Sequence, residues 1–288
     1  MWVMGGSTNL SFQNDDLNDV WSSSDGTHWV QVTAHAAWSP RVWAGGVVFN
    51  GAMWILGGST YTEAYPGLYG NDVWSSTDGV NWTQATASAG FSGRAAMGCY
   101  AYGGDLWVVG GAAACYDCPV TYQNDSWYSP DGTNWTPAPA GTAFPGRSNF
   151  GALVFNGAMW LFGGDKVGGS LNDVWSSTDG SNWTEATASA GFPANGAMQN
   201  NCAVNSGAMW IVGGGNNGGN LDGVWTSTNG SSWTAATTSP AFGGVVYNSV
   251  VSYNNQLWEL AGQFAGSTYS NAVWTSSNGV LWTQTYPQ

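Results

Sequence analysis

Charge is scarce in this chain, and positive charge scarcer still: Asp, Glu, Lys and Arg make up 7% of its 288 residues, against roughly a quarter of an ordinary soluble protein. Its Lys and Arg are Arg41, Arg94, Arg147 and Lys166, set against 17 acidic residues for a net charge of −13. Four such cations cannot neutralise a row of phosphates, which excludes nucleic acid as a partner and an anionic membrane surface with it. No uncharged apolar run approaches the roughly 18 residues of a membrane-crossing helix, and the opening MWVMGG has neither the basic nor the apolar region of a signal peptide. Histidine is limited to His28 and His35, seven residues apart, a poor start for a metal site. What is plentiful is apolar residues at 43%, with 20 Trp and 43 Gly. That content excludes disorder and leaves Ser, Thr, Asn and Gln to keep the surface wet.

An internal repeat organises the chain. NDVWSSSDGTHW at Asn18 returns as NDVWSSTDGVNW at Asn71, NDSWYSPDGTNW at Asn124 and NDVWSSTDGSNW at Asn172, with looser copies DGVWTSTNGSSW at Asp222 and NAVWTSSNGVLW at Asn271. The first Trp of each copy is Trp21, Trp74, Trp127, Trp175, Trp225 and Trp274, at spacings of 53, 53, 48, 50 and 49. A second element keeps step: MWVMGG, MWILGG, LWVVGG, MWLFGG, MWIVGG and LWELAG, each a short apolar strand ending at glycine. Before five of these lies another strand, joined by an Asn-Gly-like or Gly-Gly turn that suits a hairpin with positive φ. The SSxDGxxW segments make a further hairpin. Each unit therefore reads as four antiparallel strands, a to d, with no helix. Eighteen of the 20 Trp are repeat columns, expected to pack between units because regular apolar periodicity marks a core. Trp38 and Trp43 fall outside those columns and are candidate ligand contacts.

This pattern resembles the kelch family, whose repeat runs from an Arg-led strand through an apolar strand ending in Gly-Gly to a strand and a final Trp. The likeness covers nearly the whole chain. It implies an all-β, six-bladed kelch-like β-propeller of four-stranded antiparallel blades, a single domain over 1–288 with blades near 1–33, 41–86, 94–138, 147–187, 197–236 and 245–286. The SxDGxxW hairpin also looks like a shortened Asp-box, the turn of sialidase-type propellers, without the residue between Asp and Gly. Strand a, which lines the channel of kelch-like propellers, occurs only five times, since the first blade starts at strand b. An open inner edge is something proteins avoid, so an upstream strand or another element is expected to fill that slot.

Arg and Asp are lost together across the copies. Arg41, Arg94 and Arg147 lead strand a in blades whose strand c carries Asp72, Asp125 and Asp173, whereas Ala197 and Val245 go with Gly223 and Ala272. The spacing predicts three ion pairs inside blades, Arg41 with Asp72, Arg94 with Asp125 and Arg147 with Asp173, because half of such a pair would be costly to bury alone. Asp19 then lacks its arginine.

Catalytic groups are not evident. The arginine column has its aspartates, no Tyr-Glu nucleophile pair accompanies it, and the Tyr and His ligands that copper-oxidase propellers need are missing. Cys115 and Cys118, spaced CxxC, are expected to close a local disulfide, zinc and a redox dithiol being the alternatives. Cys99 and Cys202 read as small buried residues of strand a. No cofactor is expected; calcium is the one candidate ion, at Asp15, Asp16 and Asp19 with Asn14 and Asn18, although the loop lacks the glycine and terminal Glu of an EF-hand. Sequons begin at Asn9, Asn81, Asn124, Asn134, Asn182 and Asn229, and with the low lysine content they favour an extracellular or cell-surface glycoprotein.

The variable segments all lie between strands b and c, and variable loops on a rigid scaffold are where binding usually sits. Tyr61, Tyr65, Tyr69, Tyr116 and Tyr122 gather there in two adjacent blades and are the expected partner or sugar contacts. The sequence thus favours a non-catalytic module for protein interaction or surface assembly, with a lectin as the alternative and a hydrolase acting through Asp117 or Glu63 as a third.

Overall fold

A computed structural model describes residues 1–8, 15–62, 65–113, 119–216, 219–264 and 268–286. Those residues form strands and turns with no helix. Six small antiparallel sheets give the chain the arrangement of a six-bladed β-propeller. The chain divides into two compact units, Met1–Ala140 and Gly141–Gln288, with three blades in each.

In the first unit, blade 1 pairs Trp2–Ser7, Asp16–Ser22 and Val30–Thr33 in that order, as strands b, c and d. Blade 2 has all four strands, Gly45–Phe49, Ala52–Thr62, Tyr65–Ser76 and Thr83–Thr86. Blade 3 repeats the order with Gly98–Tyr102, Asp105–Ala113, Thr121–Ser129 and a short Thr136–Pro137.

In the second unit, blade 4 comprises Gly151–Phe155, Ala158–Lys166, Gly169–Ser177 and Thr184–Thr187. Blade 5 comprises Cys202–Asn205, Ala208–Val212, Val224–Ser227 and Thr234–Thr237, with a separate ribbon of Gly215–Asn216 and Gly219–Asn220. In blade 6, Val245–Val246 and Ser249–Tyr253 both pair with Gln256–Phe264, followed by Thr268–Ser276 and Thr283–Tyr286.

The SxDG turn explains why each c-d hairpin forms. Ser76 Oγ accepts the Gly79 N–H at 2.8 Å, Asp78 Oδ1 accepts those of Val80 and Asn81 at 2.9 and 2.8 Å, and Trp82 Nε1 donates to the Gly79 carbonyl at 3.0 Å. The turn thereby satisfies backbone donors that an open loop would leave to water. In blades 5 and 6, Asn229 and Asn278 do the same with an amide oxygen.

In blades 2 to 6 the strand-b Trp donates its Nε1 to a carbonyl five residues earlier, as Trp54 does to Phe49 at 3.1 Å. Four strand-b rings cover the turn glycine of the next blade. A Cβ on Gly79 would overlap Trp2, on Gly132 Trp54, on Gly230 Trp160 and on Gly279 Trp210. These are contacts between neighbouring blades of one unit, and they agree with the apolar clusters found between successive sheets.

Each described arginine lies in an ion pair of its own blade. Arg41 Nη2 is 2.8 Å from Asp72 Oδ2, Arg94 Nη1 2.6 Å from Asp125 Oδ1 and Arg147 Nη1 2.5 Å from Asp173 Oδ1. All three guanidiniums are fully buried. The same aspartates accept the Nε1 of Trp74, Trp127 and Trp175. In blade 1, Asp19 accepts Trp21 Nε1 at 2.7 Å in the same way.

The alignment of copies needs one correction. Counting back from Trp210 places Ala197 in the arginine column, but Asn195 occupies it. Asn195 N–H reaches the Leu171 carbonyl and its own carbonyl accepts Gly164 N–H, both at 2.8 Å. Arg94 makes the same two bonds with Gly70 and Gly58. Two extra residues before strand a of blade 5 hide this from the spacing.

Candidate functional site

The start of strand a and the b-c hairpin come together at one end of blades 2, 3 and 4, linked by the bridges Val42–Ser59, Ala95–Ala112 and Ser148–Asp165. That end carries most of the residues the sequence singled out.

In the first unit, Tyr69 is half-buried on strand c of blade 2. Burial raises its phenol, and Tyr122 of blade 3 raises it further. Trp43 stands beside strand a with φ of 54°, a left-handed backbone that bulky residues avoid. It is half-buried. Tyr61 and Tyr65 lie on the blade 2 hairpin with side chains outside the described residues, as is Tyr116 altogether. Asn9, Asn14, Glu63, Cys115, Asp117 and Cys118 also lie outside them.

Trp38 does not belong to this surface. It is 1% exposed, its ring lying edge-on to Trp82 at 5.8 Å and beneath the Arg41 guanidinium at 5.9 Å. Phe91 and Phe144 hold the same place beneath Arg94 and Arg147, at 5.6 and 5.8 Å. Trp38 is thus one member of an aromatic column three residues before the arginine, a signal present in the sequence once the columns are extended upstream.

The second unit has its own cluster, which the sequence reading missed. Asp165 ends strand b of blade 4, accepting Ser170 Oγ at 2.8 Å and Asn149 Nδ2 at 3.4 Å, with Gly196 packed so close that a Cβ would strike its carboxyl. Burial raises that carboxyl. Tyr247 of blade 6 is near enough for Asp165 to act on it: burial raises the phenol first, then Asp165 and Tyr269. Tyr247 is 49% exposed and Tyr269 41%. Tyr247 also sits at φ of 56°, two residues after the arginine column like Trp43. That shared offset is the signal that would have found it.

Other expected positions make hydrogen bonds within their own turns or strands. Asn81 Nδ2 donates to Asp78 Oδ2 at 2.8 Å, and Asn134 and Asn182 repeat the bond to Asp131 and Asp179. Those sequons arise from a turn position where an amide is useful. Asn229 caps its own turn, and Asn124 is exposed on strand c. Asp15, through its carbonyl, and Asp16, through strand pairing, bond with residues of strand b. Among the described residues no three His, Cys, Asp or Glu converge on one point that would hold a metal ion. Burial pushes the thiols of Cys99 and Cys202 up to about 12, so neither is a nucleophile.

In the second unit, the half-buried carboxyl of Asp165 with its Ser170 and Asn149 donors, and the half-exposed rings of Tyr247 and Tyr269, are groups able to hydrogen-bond and stack on a polar ligand. Compared with known proteins, the chain matches no family model and no curated protein sequence.

Proposed function

We propose that this chain is a kelch-like, non-catalytic binding module, an extracellular propeller that presents the b-c end of its blades to a protein partner. One observation carries the reading: the position two residues after the arginine column takes left-handed backbone at Trp43, Ala96, Asn149 and Tyr247, and in two of these blades it carries a large aromatic ring. Such strain persists where surroundings enforce it and is concentrated at binding sites. Tyr69 and Tyr122 in the first unit, and Tyr269 in the second, add further rings to their own blades, and Tyr is favoured where one side of a ring is buried and the other wet.

A glycan ligand is the second reading. Asp165 with Ser170 and Asn149, beside two half-exposed tyrosine rings, combines the hydrogen-bonding groups and apolar faces that sugars use.

Immobilised extracellular proteins and a glycan array, probed with the native chain and with a Tyr69→Ala/Tyr122→Ala/Tyr247→Ala variant, separate these readings. Retention on a protein, lost in the variant, is the expected result. Glycan hits lost in the variant favour the second reading. Binding that survives all three substitutions overturns both.

A further inference from the structure

The arginine slot of blade 5 is vacant, and the vacancy is chemically specific. In blades 2 to 4 the guanidinium lies over an aromatic ring at 5.6 to 5.9 Å. Its Nε donates to the carbonyl two residues earlier, of Ser39, Ser92 or Pro145, at 3.0 to 3.1 Å. Its Nη1 donates to the first Gly carbonyl of the Gly-Gly pair, of Gly57, Gly110 or Gly163, at 2.7 to 3.0 Å. The strand-c aspartate completes the box.

Blade 5 keeps the box and loses its content. Asn195 replaces the arginine and Gly223 the aspartate, leaving a cavity of about 90 Å³ lined by Phe192, Pro193, Gly213, Gly223 and Trp225, with Asp222 and Thr238 exposed at its mouth. Phe192 and Pro193 stand three and two residues before Asn195, as Phe144 and Pro145 stand before Arg147. The Pro193 carbonyl accepts no hydrogen bond among the described residues, and the Asn195 side chain turns to other partners, donating to the Gly213 carbonyl at 3.0 Å and accepting the N–H groups of Gly215 and Ala197 at 2.9 and 3.2 Å. Blade 6 lacks the same arginine and aspartate, and its apolar replacements fill the space. Val245 and Ala272 are buried there, and Phe242 packs at 6.2 Å from Trp274. A cavity remains in blade 5 because neither Asn195 nor Gly223 has the volume to fill it.

We propose that this cavity is a binding site for a guanidinium group entering at its exposed mouth beside Asp222 and Thr238. The planar, weakly hydrated cation stacks on Phe192, donates to the Pro193 carbonyl, and is met at the mouth by the carboxylate of Asp222. The group can come from a free alkylguanidine or from an arginine side chain of a polypeptide. This site is separate from the b-c patches of the proposed function and stands or falls independently of them.

The test is a calorimetric titration of the whole chain at constant ionic strength with agmatine, with putrescine, which has an amine in place of the guanidinium, and with the peptide acetyl-Gly-Arg-Gly-amide. Saturable binding of agmatine without binding of putrescine is expected. Peptide binding of similar strength marks arginine on a polypeptide as the source, and agmatine alone marks a small molecule. Asp222→Asn, an exposed change that leaves the core alone, should weaken guanidine binding several-fold. Asn195→Arg refills the slot from within and should abolish it. Equal response to agmatine and putrescine, no response to either guanidine, or unchanged affinity in both Asp222→Asn and the refilled variant overturns the proposal.

Discussion

Trp54 lays its indole over the backbone of Gly132, the turn glycine of the next blade, so closely that even a methyl group there would overlap the ring. The residue at 132 also has φ of 73°, which L-residues adopt only at a cost. Sequence repetition, sheet packing and turn conformation meet at this contact.

Gly132→Ala should therefore lose stability on two counts. Left-handed backbone costs a non-glycine residue roughly 1–2 kcal/mol, and displacing the Trp54 ring adds about 1–3 kcal/mol of overpacking. Urea unfolding should show the sum, while Gly157→Ala, at a turn with open space around it, should show only the backbone part. Equal losses at both positions would remove Trp54 from the account.

The ion pair of Arg147 and Asp173 is the most enclosed of the three, with side chains 0% and 10% exposed. Asp173→Ala leaves a buried guanidinium without its counter-charge and should cost about 3–5 kcal/mol. Replacing both, as Arg147→Met with Asp173→Ala, should cost less than Asp173→Ala alone. Denaturant midpoints of the two variants decide the matter; a double variant that is the weaker one would mean the pair contributes net attraction beyond mutual compensation.

Much of this was legible because it repeats. Strand order, the Trp columns and the partners of the arginines all follow from residues that recur at fixed offsets, and a side chain that recurs six times reports its role by its company. What stayed hidden is what departs from the repeat. Asn195 was concealed by two extra residues that shift the count. Asp165 and Tyr247 are distant in sequence and single in kind, so only the folded chain brings them together. Trp38 looked irregular because Trp there replaces the Phe of later blades.

Glu259 is another departure. Blades 2 to 5 place Ile55, Val108, Leu161 and Ile211 after the strand-b Trp, but blade 6 has a carboxyl. It is 0% exposed, neither oxygen has a hydrogen-bond partner among the described residues, and its cross-strand neighbours are Val250 and Trp274. Burial pushes its pKa well above the ordinary 4.5, with nearby Asn248 acting the other way. The folded chain thus keeps a proton that the unfolded chain releases near 4.5, so this residue's contribution is fullest below that pH and is lost as pH rises toward the folded value. Glu259→Leu should raise stability at neutral pH by about 1–3 kcal/mol. Asp165 is shifted in the same direction, so the useful quantity is the difference between native and variant unfolding curves. That difference should grow from pH 5 upward, and a flat difference would contradict it.

The turn aspartates behave oppositely at low pH. Backbone and side-chain bonds from Asn182, offset in part by burial, bring the Asp179 carboxyl down to about 2, and bonds from Asn134 and Thr133 do the same for Asp131. Their stabilisation is present above the unfolded carboxyl range and fades as pH falls through about 2. Asp179→Asn should be well tolerated at pH 7, because Asn229 and Asn278 already serve in blades 5 and 6, and it should flatten the acid limb of thermal melting curves. Asp179→Ala should lower the melting temperature at every pH. An Asn variant as damaging as the Ala variant would show that the charge matters more than the hydrogen bonds.

The SxDG turn has one further consequence. Since every strand-d indole N–H is satisfied by a carbonyl three residues before it, a hairpin copied whole brings its own acceptors with it. Such a segment is a self-contained cassette. Duplicating or transplanting one should disturb its hosts only through the ring-on-glycine seams at its two flanks, which gives a lineage of these proteins a low-risk way to change blade number while the outward hairpins diverge.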